Sequence, residues 1–183
     1  MGHRLTKIYT RTGDEGTTGL GDGSRINKAS LRVSALGDVD ELNSVIGVLL
    51  CEELPVPVRE LLTGVQHDLF DLGGETSIPG ASLLKATQPA RLEAAIDHYN
   101  ADLAPLKEFI LPAGTRAAAL THHARCVCRR AERALVALAD EDKVSEASRI
   151  YLNRLSDLLF VLGRWLNKAG GNGDVLWQKG KHA

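Results

Sequence analysis

The stretch RCVCRRAER, residues 125–133, sets Arg125, Arg129 and Arg133 four apart, so that on a helix their guanidinium groups line up along one side. Arg130 lies alongside, and Glu132 is spaced to orient one or two of them. Like charges at this spacing repel by roughly a few tenths of a kcal/mol per pair, so a sequence that tolerates them usually supplies anions from elsewhere. Two readings stand open. The row is a solvated, salt-bridged helix surface, or it is a phosphate clamp, because the planar fork of arginine matches phosphate oxygens in pairs.

A second segment offers matching chemistry. KIYTRTGDEGTTGLGDGSR, residues 7–25, interleaves Gly13, Gly16, Gly19, Gly21 and Gly23 with Thr12, Thr17, Thr18, Asp14 and Asp22, flanked by Arg11 and Arg25. Glycines let backbone N–H groups converge on an anion, threonine hydroxyls add donors, and Lys28 adds a mobile charge. No GxxxxGK[ST] occurs, so this is not a Walker loop. Alone, such a leader reads as flexible chain; beside an arginine row in a nearly neutral protein, the pair reads as a nucleoside triphosphate site. Asp40, Glu41 and Asn43, with Asn153 and Asp157, are polar groups inside apolar helix patterns. They are either bundle-edge hydrogen bonders or site residues: Asn153 for a ribose or base edge, Asp40 for an arginine across an interface. His122 and His123 are adjacent and project apart, which disfavours a two-histidine metal site. They, with His67, His98 and the tail residues His3 and His182, read as ordinary histidines. No nucleophile–base motif is present.

Helices must position these groups. Apolar residues spaced three and four apart predict a first helix from about Leu31 to Glu52 (Leu36, Val39, Leu42, Ile46, Leu49) and a second, after the LPVP break, ending near Leu72. GGETSIPGAS, residues 73–82, reads as a loop. A third helix begins near Pro89 with Thr87 as its cap, a fourth runs from about Thr115 to Ala139, and Ser145 caps a fifth. The apolar arc of the fifth is too wide for a helix with one side in water, so it is central or lies in a subunit interface. No strand with clean alternation longer than a few residues is evident; GGNGD, residues 170–174, ends the fifth helix, and the final residues of the 170–183 tail read as mobile. The expected architecture is an all-α five-helix bundle, one domain over residues 1–183, with a leader at 1–30 and the bundle at 31–169.

The bulk numbers narrow the function. The 183 residues suffice to bury roughly 70% of the unfolded surface. A net charge of -1 and 4% aromatic residues disfavour a nucleic-acid surface. No apolar run approaches a membrane span, and the start lacks the apolar stretch of a signal peptide. Three cysteines, two of them (Cys126 and Cys128) on different helix faces, disfavour a disulfide framework; the expected compartment is a reducing cytoplasm.

KIYTRTGDEGTTGL, GDVDELNS (37–44), FILPAG (109–114), RCVCRRAER and YLNRLSD (151–157) occur in the order found in ATP:cob(I)alamin adenosyltransferases of the PduO type, and the sequence resembles that family from Lys7 to about Lys168. The resemblance implies a ferritin-like five-helix bundle forming a homotrimer with sites between subunits. It implies transfer of the 5′-deoxyadenosyl group of ATP to the cobalt of a reduced corrinoid, cob(I)alamin, yielding adenosylcobalamin and triphosphate. By similarity, Thr10, Arg11, Thr12, Gly13, Thr18 and Gly19 contact ATP, with Lys28 on the phosphates and Mg²⁺ accompanying them. Arg129, Arg130, Glu132 and Arg133 match the nucleotide-binding helix, and Asn153 the adenosine-side asparagine. Arg125 and Asp40 match a pair bridging subunits, and Phe109 the aromatic residue against the lower corrin face. A reductase and an adenosylcobalamin-dependent acceptor enzyme are the implied partners. Two positions depart from the pattern. Ala113 stands where a second glycine is expected, so a positive φ there would strain the loop, and Glu15 stands where lysine is common. Competing classes are a non-catalytic nucleotide sensor or corrinoid carrier on the same bundle, and a helical nucleic-acid binder.

Overall fold

The computed structural model describes residues 8–181, which leaves His3 and His182 outside the described chain. Five helices make the bundle: α1 (Leu31–Leu49), α2 (Val56–Thr76), α3 (Thr87–Ala101), α4 (Arg116–Ala139) and α5 (Glu146–Ala169). A short antiparallel hairpin, β1 (Thr17–Gly19) and β2 (Arg25–Asn27), precedes them, with Thr18 opposite Ile26. Both strands are only three residues long, within the limit the sequence set. Three-residue strands carry too few alternations to read from pattern, and tertiary context decides them.

The apolar stripes meet in one continuous core. Val39, Leu42, Ile46 and Leu49 of α1, Leu62, Val65, Leu69 and Leu72 of α2, and Leu92 and Tyr99 of α3 are buried, as the spacing requires. α5 packs against both α3 and α4 and buries residues all round its axis, including Tyr151, Leu155, Leu158, Leu159, Leu162 and Leu166. Its wide apolar arc is therefore that of a central helix within one chain.

Helix ends differ from the sequence-based expectation where distant groups satisfy the backbone. α1 stops at Leu49, not Glu52: the Arg59 guanidinium donates to the carbonyls of Leu50 (2.7 Å) and Glu52 (2.8 Å), closing the end with a side chain from α2. α2 runs past Leu72 through Gly73 and Gly74 to Thr76, into the segment expected as loop. The buried Glu75 carboxylate explains the extension. It accepts from the backbone N–H groups of Leu83 (2.6 Å) and Leu84 (3.1 Å) and from the Ser148 hydroxyl (2.7 Å), partners available only if the helix continues. α3 starts at Thr87 and is preceded by Ala86 at the cap, while Gln88 Oε1 accepts from Lys85 N–H. Ser145 caps α5 through its side-chain oxygen, as expected, and Thr115, expected as the first residue of α4, caps that helix in the same way.

The segment after α5 is fastened, contrary to the expected mobile tail. Arg164, buried on α5, pairs with Asp174 at 3.0 Å. Leu111 N–H donates to Val175 O (2.7 Å) and Trp177 N–H to Phe109 O (2.8 Å), so residues 175–177 run antiparallel to the loop before α4.

Candidate functional site

The leader braces itself. Arg25 Nη2 donates to Thr12 O (2.5 Å), Thr17 O (3.2 Å) and Thr17 Oγ1 (2.8 Å), tying residues 12 and 17 together. Gly16 (φ 84) and Gly23 (φ 88) adopt left-handed backbone that other residues resist, and Lys28 N–H closes on Gly16 O at 2.8 Å. Lys28 Nζ lies 3.2 Å from the point a Cβ on Gly13 would occupy, so the predicted glycine and the predicted cation are neighbours. Thr10 and Thr12 share a hydroxyl–hydroxyl hydrogen bond of 2.9 Å. Arg11 is the one non-glycine at positive φ (60°) among the described residues, and its guanidinium lies over the Tyr9 ring. Thr18 and Gly19 sit in β1. Arg25, treated from sequence only as a flanking cation, is the residue that organises this platform.

On α4 the arginines divide. Arg129 and Arg133 are exposed, with Arg133 Nη1 donating to Arg129 O at 3.2 Å. Arg130 instead turns to α1, bonding Asp38 (3.0 Å) and Glu41; the hydrogen bond to Glu41 and then that to Asp38 raise its pKa. Glu132, expected to orient guanidinium groups, receives Asn153 Nδ2 from α5 at 2.9 Å, while Asn153 Oδ1 accepts from Arg154 (2.8 Å). Asn153 is thus oriented by Glu132 and Arg154, an arrangement the spacing did not disclose.

Arg125, the third member of the row, points elsewhere. With Leu106, Lys107, Glu108, Phe109, Ile110 and Phe160 it lines a cavity of about 550 Å³. Its guanidinium lies 5.9 Å over the Phe160 ring, and its Nε is buried without a partner among the described residues. Phe109 stands 77% exposed at this cavity, edge-on to Trp177 with centroids 6.2 Å apart. An aromatic side chain left so open is costly unless it serves a ligand or partner. The loop that carries it is set by Asn167, whose Nδ2 donates to Ala113 O (3.0 Å) and whose Oδ1 accepts from Thr115 N–H (2.8 Å). The positive φ falls on Gly114 (106°), and a Cβ there would overlap Asn167. Ala113 therefore carries no positive-φ strain, which removes the concern its identity raised.

Behind Phe160 sits His122, only 2% exposed and without a hydrogen-bond partner at either nitrogen among the described residues. Desolvation, then the Arg125 charge, pushes its pKa down, opposed by Asp174. Gly163 makes room for the ring, since a Cβ there would come within 2.9 Å of Nε2. From the sequence His122 reads as an ordinary histidine, since it and the adjacent His123 project apart; its burial without a partner among the described residues shows only in the fold.

Asp40 is exposed on α1 and lines a second groove of about 510 Å³ between α1 and α2, with Leu36, Leu69 and Phe70. Within one chain none of the described hydrogen bonds or ion pairs joins Asp40 to Arg125, or the leader to α4. The leader's described hydrogen bond to the bundle runs from Gly21 N–H to Ser77 O. One chain thus presents two halves: a Gly/Thr platform at the end of α2, and an arginine face with an aromatic cavity on α4 and α5.

Residues 8–166 match the sequence profile of the cobalamin adenosyltransferase family. A cobalamin adenosyltransferase of Cupriavidus metallidurans is 66% identical over 98% of both chains, and a corrinoid adenosyltransferase of Mycobacterium tuberculosis is 46% identical over 98% of this chain and 97% of that one. A phenylalanine-to-alanine variant of a PduO-type ATP:corrinoid adenosyltransferase from Lactobacillus reuteri, solved with cobalamin and ATP, superposes with a TM-score of 0.91 at 34% identity, covering 94% of this chain and all of that one. An arginine-to-lysine variant of a PduO-type enzyme from the same organism, solved with ATP, gives 0.90 at 35% identity, covering 93% of this chain and 100% of that one. The chain belongs to the cobalamin adenosyltransferase family. Its activity is the adenosylation of a corrinoid.

Proposed function

We propose that this enzyme takes the 5′-deoxyadenosyl group from ATP and delivers it to the cobalt of a reduced corrinoid, releasing triphosphate, at sites built from two subunits of a homotrimer. The observation that carries the reading is the cavity in which exposed Phe109 meets Arg125 and Phe160, one helical turn from exposed Arg129. The altered phenylalanine and arginine of the Lactobacillus reuteri variants are twenty residues apart in that protein, as Phe109 and Arg129 are here, which supports equating the two pairs.

Reduced cobalt is itself the nucleophile, so attack on the ribose C5′ needs no general base from the protein, and none is offered. Triphosphate departs as C5′–cobalt bonding develops. Arg129, Arg133 and Lys28 meet the charge gathering on it, each charge-assisted hydrogen bond contributing about 1.5–3 kcal/mol. Mg²⁺ would enter with ATP and help neutralise the charge developing on its phosphates, beside Lys28 and the arginines. Thr10, Arg11, Thr12, Gly13, Thr18 and Gly19 cradle the nucleotide, Asn153 faces the adenosine, and Arg130 with Glu132 holds the helix surface in register. Phe109 lies against the lower corrin face, where its bulk excludes an axial ligand and so favours reduction to the nucleophilic state. Asp40 meets Arg125 of a neighbouring subunit.

The separation of leader and α4 within one chain supports the shared site. The near-neutral net charge weighs against a nucleic-acid role, and no helix among the described residues is long and apolar enough to cross a membrane. A cytoplasmic setting, an electron-donating reductase and an adenosylcobalamin-dependent acceptor complete the reading.

Anaerobic mixing of protein, reduced cobalamin and MgATP is expected to yield adenosylcobalamin and triphosphate. Arg129→Ala lowers kcat by about 10²–10³-fold, whereas Phe109→Ala binds ATP normally and fails at the reduction-dependent step; equal, mild losses for both would refute this division. Mixing Lys28→Ala with Arg129→Ala subunits is expected to recover activity, because some sites then combine two intact halves. No recovery after proven subunit exchange contradicts the shared site.

A further inference from the structure

Two glycines of the leader serve the loop's own conformation: Gly16 and Gly23 are at positive φ with open space around them. Gly21 differs. Its φ lies outside the positive range, so any residue could adopt its backbone. Yet a Cβ there would stand 2.6 Å from Cγ1 and 3.1 Å from Cδ1 of Ile78, and 3.0 Å from Oγ of Ser77. Carbon atoms in contact sit about 3.5–4.0 Å apart. The missing side chain is what lets the 20–24 turn lie against the end of α2, where Gly21 N–H donates to Ser77 O at 2.9 Å.

The surface it rests on is held on both sides. Ser77 Oγ donates to Gly74 O (2.7 Å), turning the helix end. Arg32, 3% exposed on α1, donates to Thr76 O and, through its other terminal nitrogen, to Asp142 (2.5 Å) in the turn between α4 and α5. The carbonyls of Thr76 and Ser77 therefore connect the leader to α1 and to the end of α4. Within the turn, Asp22 accepts from Ser24 N–H (2.9 Å) and Oγ (2.6 Å), and Leu20 N–H donates to Ser24 O (2.8 Å), so the turn moves as one piece with the hairpin.

We propose that Gly21 is a positioning residue for nucleotide binding: its close approach to Ser77 and Ile78 locks the hairpin onto the α2 end, and this lock sets where Thr12, Thr18 and Lys28 stand relative to the bundle. The proposal rests on the reading of the leader as the ATP platform. It concerns residues that touch no substrate; Gly21, Ile78 and Arg32 act through the leader's placement.

The test is kinetic, on the full-length protein. Gly21→Ala is expected to raise KM for ATP about tenfold, with kcat and KM for the corrinoid within about twofold of wild type and the thermal midpoint unchanged. Amide exchange in the 17–28 segment, measured without nucleotide, rises in the same variant. Gly21→Ala combined with Ile78→Ala removes the two clashing carbons and is expected to recover most of the lost ATP affinity. Gly21→Ala with an unchanged KM for ATP, while Lys28→Ala raises it, overturns the lock alone. A double variant as impaired as Gly21→Ala also overturns it, as does a thermal midpoint lowered together with all three kinetic constants, the mark of a general structural role. Lys28→Ala with an unchanged KM for ATP overturns the reading of the leader and this proposal with it.

Discussion

The segments on either side of the bundle look alike in composition and are held in opposite ways. The leader is rich in glycine and threonine, and most of its bonds are internal: Arg25 ties Thr12 to Thr17 and Lys28 N–H meets Gly16 O. Gly21 N–H alone reaches across to Ser77 O among the described bonds of the 8–28 segment. The segment after α5, GGNGDVLW, is as glycine-rich, yet its bonds reach outward to Arg164, Leu111 and Phe109. The first is a preformed platform that can shift as a unit. The second is a strap across the loop bearing Phe109, anchored by an ion pair removed from water. Glycine content predicts neither arrangement; the placement of the one charged partner, Arg25 inside the leader and Arg164 outside the tail, decides both.

Breaking the anchor of the strap has the largest expected effect. Arg164→Ala leaves Asp174 largely buried without its cation and costs about 3 kcal/mol of stability, read as the midpoint of chemical unfolding. Amide exchange at Leu111 and Trp177 rises with it. Unchanged exchange there would mean the strap is held without the ion pair.

Breaking the brace of the leader is expected to act on function more than on stability. Arg25 is exposed, so Arg25→Ala shifts stability by under about 0.5 kcal/mol, while KM for ATP rises severalfold. A large loss of stability with an unaltered KM would reverse the contrast between the two segments.

The smallest effect sharpens the comparison at the strap's inner side. His122 is flanked by Arg125 from its own helix, by Phe160 and Gly163 of α5, and by Asp174 of the strap. Its folded pKa lies below the ordinary imidazole value of 6.5, so the unfolded chain binds the proton more readily. Stability from this group is complete above the ordinary value and is lost as pH falls toward the folded one. His122→Leu is expected to flatten stability against pH between neutrality and mild acid, relative to wild type. Asp68 acts with the opposite sign at lower pH. Desolvation raises its folded pKa against its hydrogen bond to Tyr151 and the Arg91 charge, so its contribution grows on acidification. An unchanged slope in His122→Leu would show that the ring titrates alike in both states.

Much of the fold was legible because apolar periodicity is local and strong. All five helices, the Ser145 cap and most of the apolar stripes stand where the sequence placed them. The boundaries that moved did so for distant partners: Arg59 ends α1, and Glu75 draws α2 onward through two glycines. For the candidate site, the sequence supplied residue types and the structure supplied their orientation. Spacing aligned Arg125, Arg129 and Arg133 with Arg130 alongside, yet Arg130 faces α1 and Arg125 turns to the aromatic cavity. Asn167 was not singled out, and the contacts of His122, Arg25 and Gly21 were not legible, because each acts through a residue distant along the chain or within the turn.

By itself the sequence determined the bundle, its apolar seams and the chemical inventory of the site, because helix periodicity and arginine spacing depend only on neighbours along the chain. The tertiary structure alone decided which cation serves which face, where the leader rests, and that the final segment is strapped down. Those outcomes depend on which distant carboxylate or carbonyl a donor meets, and a linear sequence does not encode that distance.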